Sequence, residues 1–342
     1  MSRFRKWFET LACTALLAGG YLVFVVTGKT PTLSYHSMVK LFCLTRGRSN
    51  DWLSRSIGFF ARRYRLPNAQ GVLGDMEDGQ VLNAVTSSLR ERGFHVFERR
   101  LPDDVCDRLI AFATSQPAET YAMDGQTSNE RRYVVYDRER PRAVRYEFKT
   151  EDLLANPDIQ RLLADLSFAA VAQEYLGSRP VVDVLSMWWL TGFSNRPDAK
   201  AAQYFHFDMD RPKWLKFFIH LTDVTPQSGP HMFVAGSHRT GAIPDNLLQH
   251  GYSRLTDEQV AQVFAKENVI EFTAPRGCIV AEDTRGLHKG KHIEHGDRLM
   301  LQIQFSNSLF GADYPKTAFR GSMLPELESR LRTIPELYAA YL

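Results

Sequence analysis

The sequence predicts a mainly β domain with flanking helices, a double-sheet jelly roll, on three observations. Seven short segments between Val181 and Phe305 are rich in β-branched and aromatic residues and are separated by Gly, Pro, Asp and Ser clusters, the rhythm of a sandwich or barrel. Segments of helical period lie before them, and Arg298 to Ser306 alternates apolar and polar residues, as a strand with a core on one side and a polar cavity on the other requires.

At the N-terminus, Arg3, Arg5 and Lys6 precede an uncharged run from Leu11 to Val26. As a helix those residues span roughly 24 Å, short of a roughly 30 Å hydrocarbon core unless Thr10, Thr27 and Gly28 extend it. A membrane anchor over residues 1–28, with membrane association through residues 10–28, is the favoured reading. A helix packed on the protein itself and a signal peptide stand as alternatives, although Val25 to Lys29 shows no small-x-small cleavage site. Residues 29–75 form a basic juxtamembrane segment: Lys29, Lys40, Arg46, Arg48, Arg55, Arg62, Arg63 and Arg65 face the single acid Asp51 before Leu73. That excess places the chain on the cytoplasmic face of a membrane. Leu53, Ile57, Phe60 and Tyr64 recur at helical spacing beside these arginines, as in a helix lying in the interface plane.

From residue 76 to 320 the chain reads as one domain, followed by a helical tail over 321–342. Helices are expected over Gly79 to Arg92, from Pro102 onward, and over Asp158 to Leu176, closed by Gly177; a short strand covers Gly93 to Phe97. The seven expected strands are Val181 to Leu190, Ala202 to Met209, Trp214 to Val224, His231 to Val234, Asn268 to Phe272, Cys278 to Glu282 and Arg298 to Phe305. Cys13, Cys43, Cys106 and Cys278 show no disulfide or zinc-knuckle spacing, which favours a reducing compartment. A formal charge of +3 gives no reason to expect nucleic acid. No serine elbow, phosphate loop or dinucleotide fingerprint appears.

The chemistry-bearing pattern is His206-x-Asp208, followed 80 residues later by His288 between Gly286 and Gly290. On an extended segment Tyr204, His206, Asp208 and Asp210 project one way and Phe205, Phe207 and Met209 the other, so one carboxylate and one imidazole meet at a point. With His288 as third ligand they make a facial triad for ferrous iron, with the opposite face open. Taken alone, H-x-D is a weak motif, most often a surface or hydrogen-bonded pair. Arg298, aimed into a cavity, needs an anionic partner because its guanidinium is never deprotonated; a dicarboxylate cosubstrate or a structural salt bridge would serve. Lys216, Phe218 and His220 share one face of a strand and, with Trp188, are candidates to line the cavity. His288, His292, His295 and Glu294 could instead form a zinc cluster, were Gly286, Gly290 and Gly296 not opposed to the helix it needs.

The order His206-x-Asp208, then Ser228-Gly-Pro-His-Met-Phe-Val-Ala-Gly-Ser-His-Arg239, then His288 and Arg298 resembles the phytanoyl-CoA dioxygenase family over roughly Phe94 to Phe310, with Ala235 where the family signature has proline. The resemblance implies a double-stranded β-helix, the cupin-like jelly roll, and dependence on Fe(II), 2-oxoglutarate as cosubstrate and O2. It makes His206, Asp208 and His288 the iron ligands and Arg298 the clamp on the distal carboxylate of 2-oxoglutarate. The reaction it implies converts 2-oxoglutarate to succinate and CO2 and a C–H bond to an alcohol. Because Asp208 is present, hydroxylation is preferred to the halogenation of relatives that lack this carboxylate. It assigns His238 no iron. A non-catalytic ligand-binding jelly roll and a zinc hydrolase are the competing classes. For the substrate, Arg131, Arg132, Arg138, Arg140, Arg142 and Arg145 with Trp188 and Trp189 point to a small or lipid-like, amphiphilic anion; the plain alternative is a solvated loop beside ordinary core aromatics.

Overall fold

The computed structural model describes every residue except 1–2, 122, 124–129, 195, 199–201 and 249–253. Three helices come first: α1 (Arg3–Thr27), α2 (Thr32–Thr45) and α3 (Arg48–Phe60). A small hairpin, β1 (Gln70–Gly71) with β2 (Gly74–Asp75), leads to α4 (Gly79–Arg92), β3 (Phe94–Val96) and α5 (Asp103–Ser115). Then follow β4 (Pro117–Tyr121), β5 (Tyr133–Val135), β6 (Arg145–Glu147), α6 (Thr150–Ala155), α7 (Pro157–Ala164) and α8 (Leu166–Leu176).

The remaining strands are β7 (Val181–Thr191), β8 (Trp214–His220), β9 (His231–Val234), β10 (Val269–Phe272), β11 (Ile279–Glu282), β12 (His288–Gly290) and β13 (Asp297–Ser306). Short helices α9 (Asp245–Leu248) and α10 (Asp257–Ala261) lie between β9 and β10, and α11 (Pro325–Thr333) near the C-terminus. An antiparallel eight-stranded sheet in the order β3-β11-β8-β13-β7-β6-β4-β5 faces a three-stranded one, β10-β9-β12. This is the expected jelly roll.

Strand alternation sorts the large sheet into two surfaces. Leu215, Phe217, Ile219, Leu299, Leu301 and Ile303 pack with residues of α4, α5, α7 and α8 in the main core. Their neighbours Lys216, Phe218, His220, Met300 and Gln302 face the small sheet. Trp188 and Trp189, adjacent on β7, therefore part company. Only Trp188 faces the cavity side, among Val144, Leu190, Phe218, Ile293 and Met300. Trp189 is a core residue, its indole donating to the Ala113 carbonyl at 3.1 Å and its ring 4.8 Å from that of Tyr136, which corrects the pairing of the two as one wall. Trp189→Ala is expected to cost about 3–5 kcal/mol, read from urea unfolding; a loss below about 1 kcal/mol would contradict this placement.

Two expected elements differ. The helix expected from Asp158 to Leu176 is two helices, broken at Asp165. The Asp165 carboxylate accepts from Ser167 N at 2.9 Å to cap α8 and from Val72 N at 2.7 Å, and this local competition holds its backbone extended. The strand expected over Ala202 to Met209 is not a ladder. His206 bridges His288, Phe205 bridges Leu255 and Asp208 N donates to Thr284 O at 2.8 Å, so its backbone groups are divided among separate partners. The alternation survives: Phe205, Phe207 and Met209 are core, while His206 and Asp208 turn the other way and meet His288.

The N-terminal helix is longer than its apolar run. At 25 residues α1 spans about 37 Å. One face buries Cys13 and Leu17 against Met38, Leu41 and Phe310, while Phe4, Trp7, Leu11, Leu22, Val25 and Val26 are exposed. Antiparallel to it, α2 stacks Phe42 on Phe207 with ring centroids 5.3 Å apart. Asn50 of α3 donates to the Pro212 carbonyl at 3.2 Å. The basic segment thus braces the back of the H-x-D segment. All four cysteines are free.

Candidate metal centre

His206, Asp208 and His288 come together with their candidate ligand atoms within 4.8 Å of one another, the only such His/Cys/Asp/Glu group among the described residues. The distances are 3.8 Å from His206 Nε2 to Asp208 Oδ1 and 3.5 Å from His288 Nε2 to Asp208 Oδ2. Paired backbone bonds between His206 and His288, 2.9 and 2.8 Å, set the two imidazoles side by side. His292 and His295 stand outside this group, and His288 opens a strand rather than a helix, which removes the basis of the local zinc cluster.

The tautomers follow from hydrogen bonding. His206 Nδ1 lies 2.9 Å from the Tyr204 carbonyl and His288 Nδ1 3.0 Å from the Gly286 carbonyl. A carbonyl only accepts, so each Nδ1 carries the proton and each Nε2 turns a lone pair toward Asp208. Burial, reinforced by His288, holds His206 well below its usual range, and burial lowers His288 to about 4. Both imidazoles are neutral donors near neutrality. Burial alone would raise the Asp208 carboxyl, but the Lys216 ammonium outweighs it and keeps it ionised. Two neutral imidazoles and one carboxylate on a shared face suit a divalent first-row ion with open positions.

Lys216 is the nearest cation, its Nζ 2.6 Å from Asp208 Oδ2 and 4.0 Å from Asp210 Oδ2. Among the cavity-lining candidates it is the one in direct contact with the triad. Phe218 packs its ring 4.7 Å from His231, and His220 is buried with neither ring nitrogen bonded. A pair that the sequence reading passed over lies beside them. Glu282, wholly buried on β11, places both carboxyl oxygens 3.0 Å from His231 Nε2. Burial raises the acid well above its usual range and lowers His231 to about 3. The signal was present in the alternation of Val280 and Glu282 on one face of an otherwise apolar strand.

Arg298 is 2% exposed, and among the described residues no carboxylate pairs with it. Its Nη1 donates to the Gly229 carbonyl and its Nε has no partner. Burial, with Arg145 adding repulsion, lowers it to about 9. A guanidinium so placed costs several kcal/mol until an anion meets it, and none of the described residues gives it a structural salt bridge. Gly290 leaves the room: a Cβ there would stand 3.3 Å from Arg298 Nη2.

Of the six arginines expected to favour an anion, Arg131, Arg132 and Arg138 pair with Glu119, Glu130 and Asp297, and Arg140 and Arg142 are exposed. Arg145 lies 4.6 Å over the Trp188 ring and is bound to Glu147 at 2.9 Å. As for His238, its Nε2 lies 3.2 Å from the Arg90 carbonyl, away from the triad.

A pH dependence of stability follows. Burial, with Arg298 adding repulsion, lowers His220 to about 3, and burial lowers His238 to about 4. In the unfolded chain both titrate near ~6.5. Below that value the unfolded state takes up protons that the native state refuses, so this stability is present above about pH 6.5 and lost as pH falls toward ~4. The unfolding temperature of the metal-free protein is expected to drop across that window, less steeply in His220→Leu; a flat profile would count against neutral buried imidazoles.

The family model described as Phytanoyl-CoA dioxygenase matches residues 89–291, which include the triad and stop short of Arg298. The ectoine dioxygenase of Sphingopyxis alaskensis is 27% identical over 190 residues, 48% of this chain and 60% of the relative. The match thus spans less than two-thirds of that protein's length. The crystal structure of EctD from S. alaskensis with 2-oxoglutarate and 5-hydroxyectoine superposes with a TM-score of 0.50 at 18% identity, covering 78% of this chain and 93% of that one. The epimerase SnoN in complex with Fe3+, alpha ketoglutarate and nogalamycin RO gives 0.46 at 15% identity, covering 67% and 84%. The likeness to EctD is one of fold.

Proposed function

The chain belongs to the phytanoyl-CoA dioxygenase family, and on that premise we propose that it is an Fe(II)- and 2-oxoglutarate-dependent dioxygenase hydroxylating an unactivated C–H bond of a small or lipid-like substrate. The observation that carries the reading is the pairing of a carboxylate–bis-imidazole face with a buried arginine that, among the described residues, has no carboxylate partner. His206, Asp208 and His288 would hold the iron. Arg298 would receive the distal carboxylate of 2-oxoglutarate by charge-assisted hydrogen bonds. With both bound, the group's chemistry converts 2-oxoglutarate and O2 to succinate and CO2 while a substrate C–H becomes C–OH.

The protein's part is arrangement. Lys216 holds Asp208 Oδ2 and so fixes the carboxylate rotamer. The carbonyls of Tyr204 and Gly286 hold the imidazole planes. Phe218, Trp188 and Met300 give the cavity an apolar wall that excludes water, while Trp188 Nε1 and His220 offer unpaired polar atoms within it.

The catalytic unit we propose is residues 76–320, with 321–342 as a helical tail, 29–75 as a brace and 1–28 as a membrane anchor. Phe4–Thr27 is long and apolar enough to cross a membrane, and its exposed face supports an amphiphilic substrate met at the cytoplasmic side. The test is succinate release by the full-length protein supplied with Fe(II), 2-oxoglutarate and O2, coupled to a comparison of cell lipids and metabolites for species gaining one oxygen atom. Stoichiometric zinc with no 2-oxoglutarate turnover would refute the reading.

A further inference from the structure

A cleft of about 480 Å3 lies between α3, the end of α8 and the turn after β9, apart from the metal centre. Arg55, Arg90, Lys213, Arg239 and Arg285 line it with one carboxylate, Asp51. Asp51 is committed to Arg285, 3.0 Å away, and to the Thr240 hydroxyl, and Arg90 is met by Glu174 at 3.3 Å. Among the described residues the other three cations have no carboxylate partner. Lys213 donates to the Tyr175 carbonyl at 2.9 Å, Arg239 to the Gly236 carbonyl at 3.3 Å, and Arg55 lies 5.8 Å over the Trp52 ring.

The walls also hold a buried hydroxyl without a partner, Ser54 Oγ, on a residue 6% exposed. Leaving such an atom unmet is costly unless a ligand satisfies it. Two guanidinia, an ammonium and a hydroxyl around one cleft form a donor set for a phosphate group.

The same helix indicates where the phosphate comes from. Trp52, Phe59 and Phe60 of α3 are 68%, 84% and 82% exposed, and Arg62 and Arg65 follow directly. Aromatic side chains beside basic ones are the composition of a surface that enters the lipid interface. We propose that this cleft binds the phosphate headgroup of an anionic phospholipid, seating the domain on the membrane by α3 independently of α1. The proposal does not depend on the reading of the metal centre.

The experiment is flotation of the full-length protein with vesicles of phosphatidylcholine alone and of phosphatidylcholine mixed with phosphatidylglycerol. Binding through α1 is common to both, so the ratio reports the anionic component. In Arg55→Ala/Arg239→Ala the preference for anionic vesicles is expected to fall about 25-fold, roughly fivefold for each cation. Neutral-vesicle binding and succinate release should stay unchanged. Arg55→Lys/Arg239→Lys should keep most of the preference. Both sites are exposed, and the unfolding temperature checks that each variant folds; Arg55→Glu alone serves if the double variant does not. An equal loss in Arg62→Ala/Arg65→Ala would overturn the cleft in favour of diffuse surface charge. Inorganic phosphate that raises the unfolding temperature, with no preference for anionic vesicles, would overturn the lipid source, and an unchanged ratio in the double variant would overturn the proposal outright.

Discussion

Asp208→Ala is expected to abolish 2-oxoglutarate-dependent succinate release, to below about 1% of the wild-type rate, and to weaken metal binding by at least about a hundredfold. The carboxylate is the only negative ligand of the group, and the two imidazoles that remain are neutral; two neutral nitrogens hold a divalent ion poorly. The substitution also strands Lys216, whose buried ammonium loses the oxygen 2.6 Å away and retains Asp210 only at 4.0 Å. Breaking a buried pair in this way costs about 3–5 kcal/mol, so the metal-free variant should unfold at a lower temperature. Asp208→Asn, which still offers Lys216 an oxygen, should recover much of the stability and little of the turnover. Calorimetric titration with Co(II) or Mn(II) separates the two effects. Wild-type turnover in Asp208→Ala would refute the ligand assignment.

Arg298→Met is expected to act oppositely on stability and on cosubstrate binding. A charge-assisted hydrogen-bonded pair with a carboxylate contributes about 3 kcal/mol, so the KM for 2-oxoglutarate should rise about a hundredfold. Without cosubstrate the wild-type guanidinium is buried with no counter-charge among the described residues and with Arg145 close enough to repel it. Replacing it by an apolar chain of similar length removes that cost, and the metal-free protein should unfold at a higher temperature. The gain should vanish when saturating 2-oxoglutarate is added, because only the wild type is stabilised by the ligand. An unchanged KM would reject the clamp, and a lower unfolding temperature would mean that the guanidinium has a stabilising partner after all.

Much of the fold was legible because it depends on local periodicity. α4 begins and ends where Asp78 and Gly93 mark it, the Asp78 carboxylate accepting from Gln80 N at 2.8 Å and Gly93 adopting a φ of 90°. The break at Asp165 was not legible, since its aspartate reads as one more polar residue on a helix until Val72, 93 positions away, donates to it. The segment from Ala202 to Met209 has strand composition, yet its backbone partners are scattered between Leu255 and His288, and composition carries no record of partners.

At the metal centre, that His206 and Asp208 share a side could be read from the chain alone, because alternation on an extended segment is a property of the backbone, and Arg298 takes the polar face of its strand for the same reason. Which groups meet them depends on long-range packing. Lys216 on Asp208, Glu282 on His231, Arg298 on the Gly229 carbonyl and the brace of Phe42 behind Phe207 all join separate segments. The physical reason is range: periodicity acts over a few residues, whereas burial and charge pairing are set by whichever distant segments the closed sheets bring together.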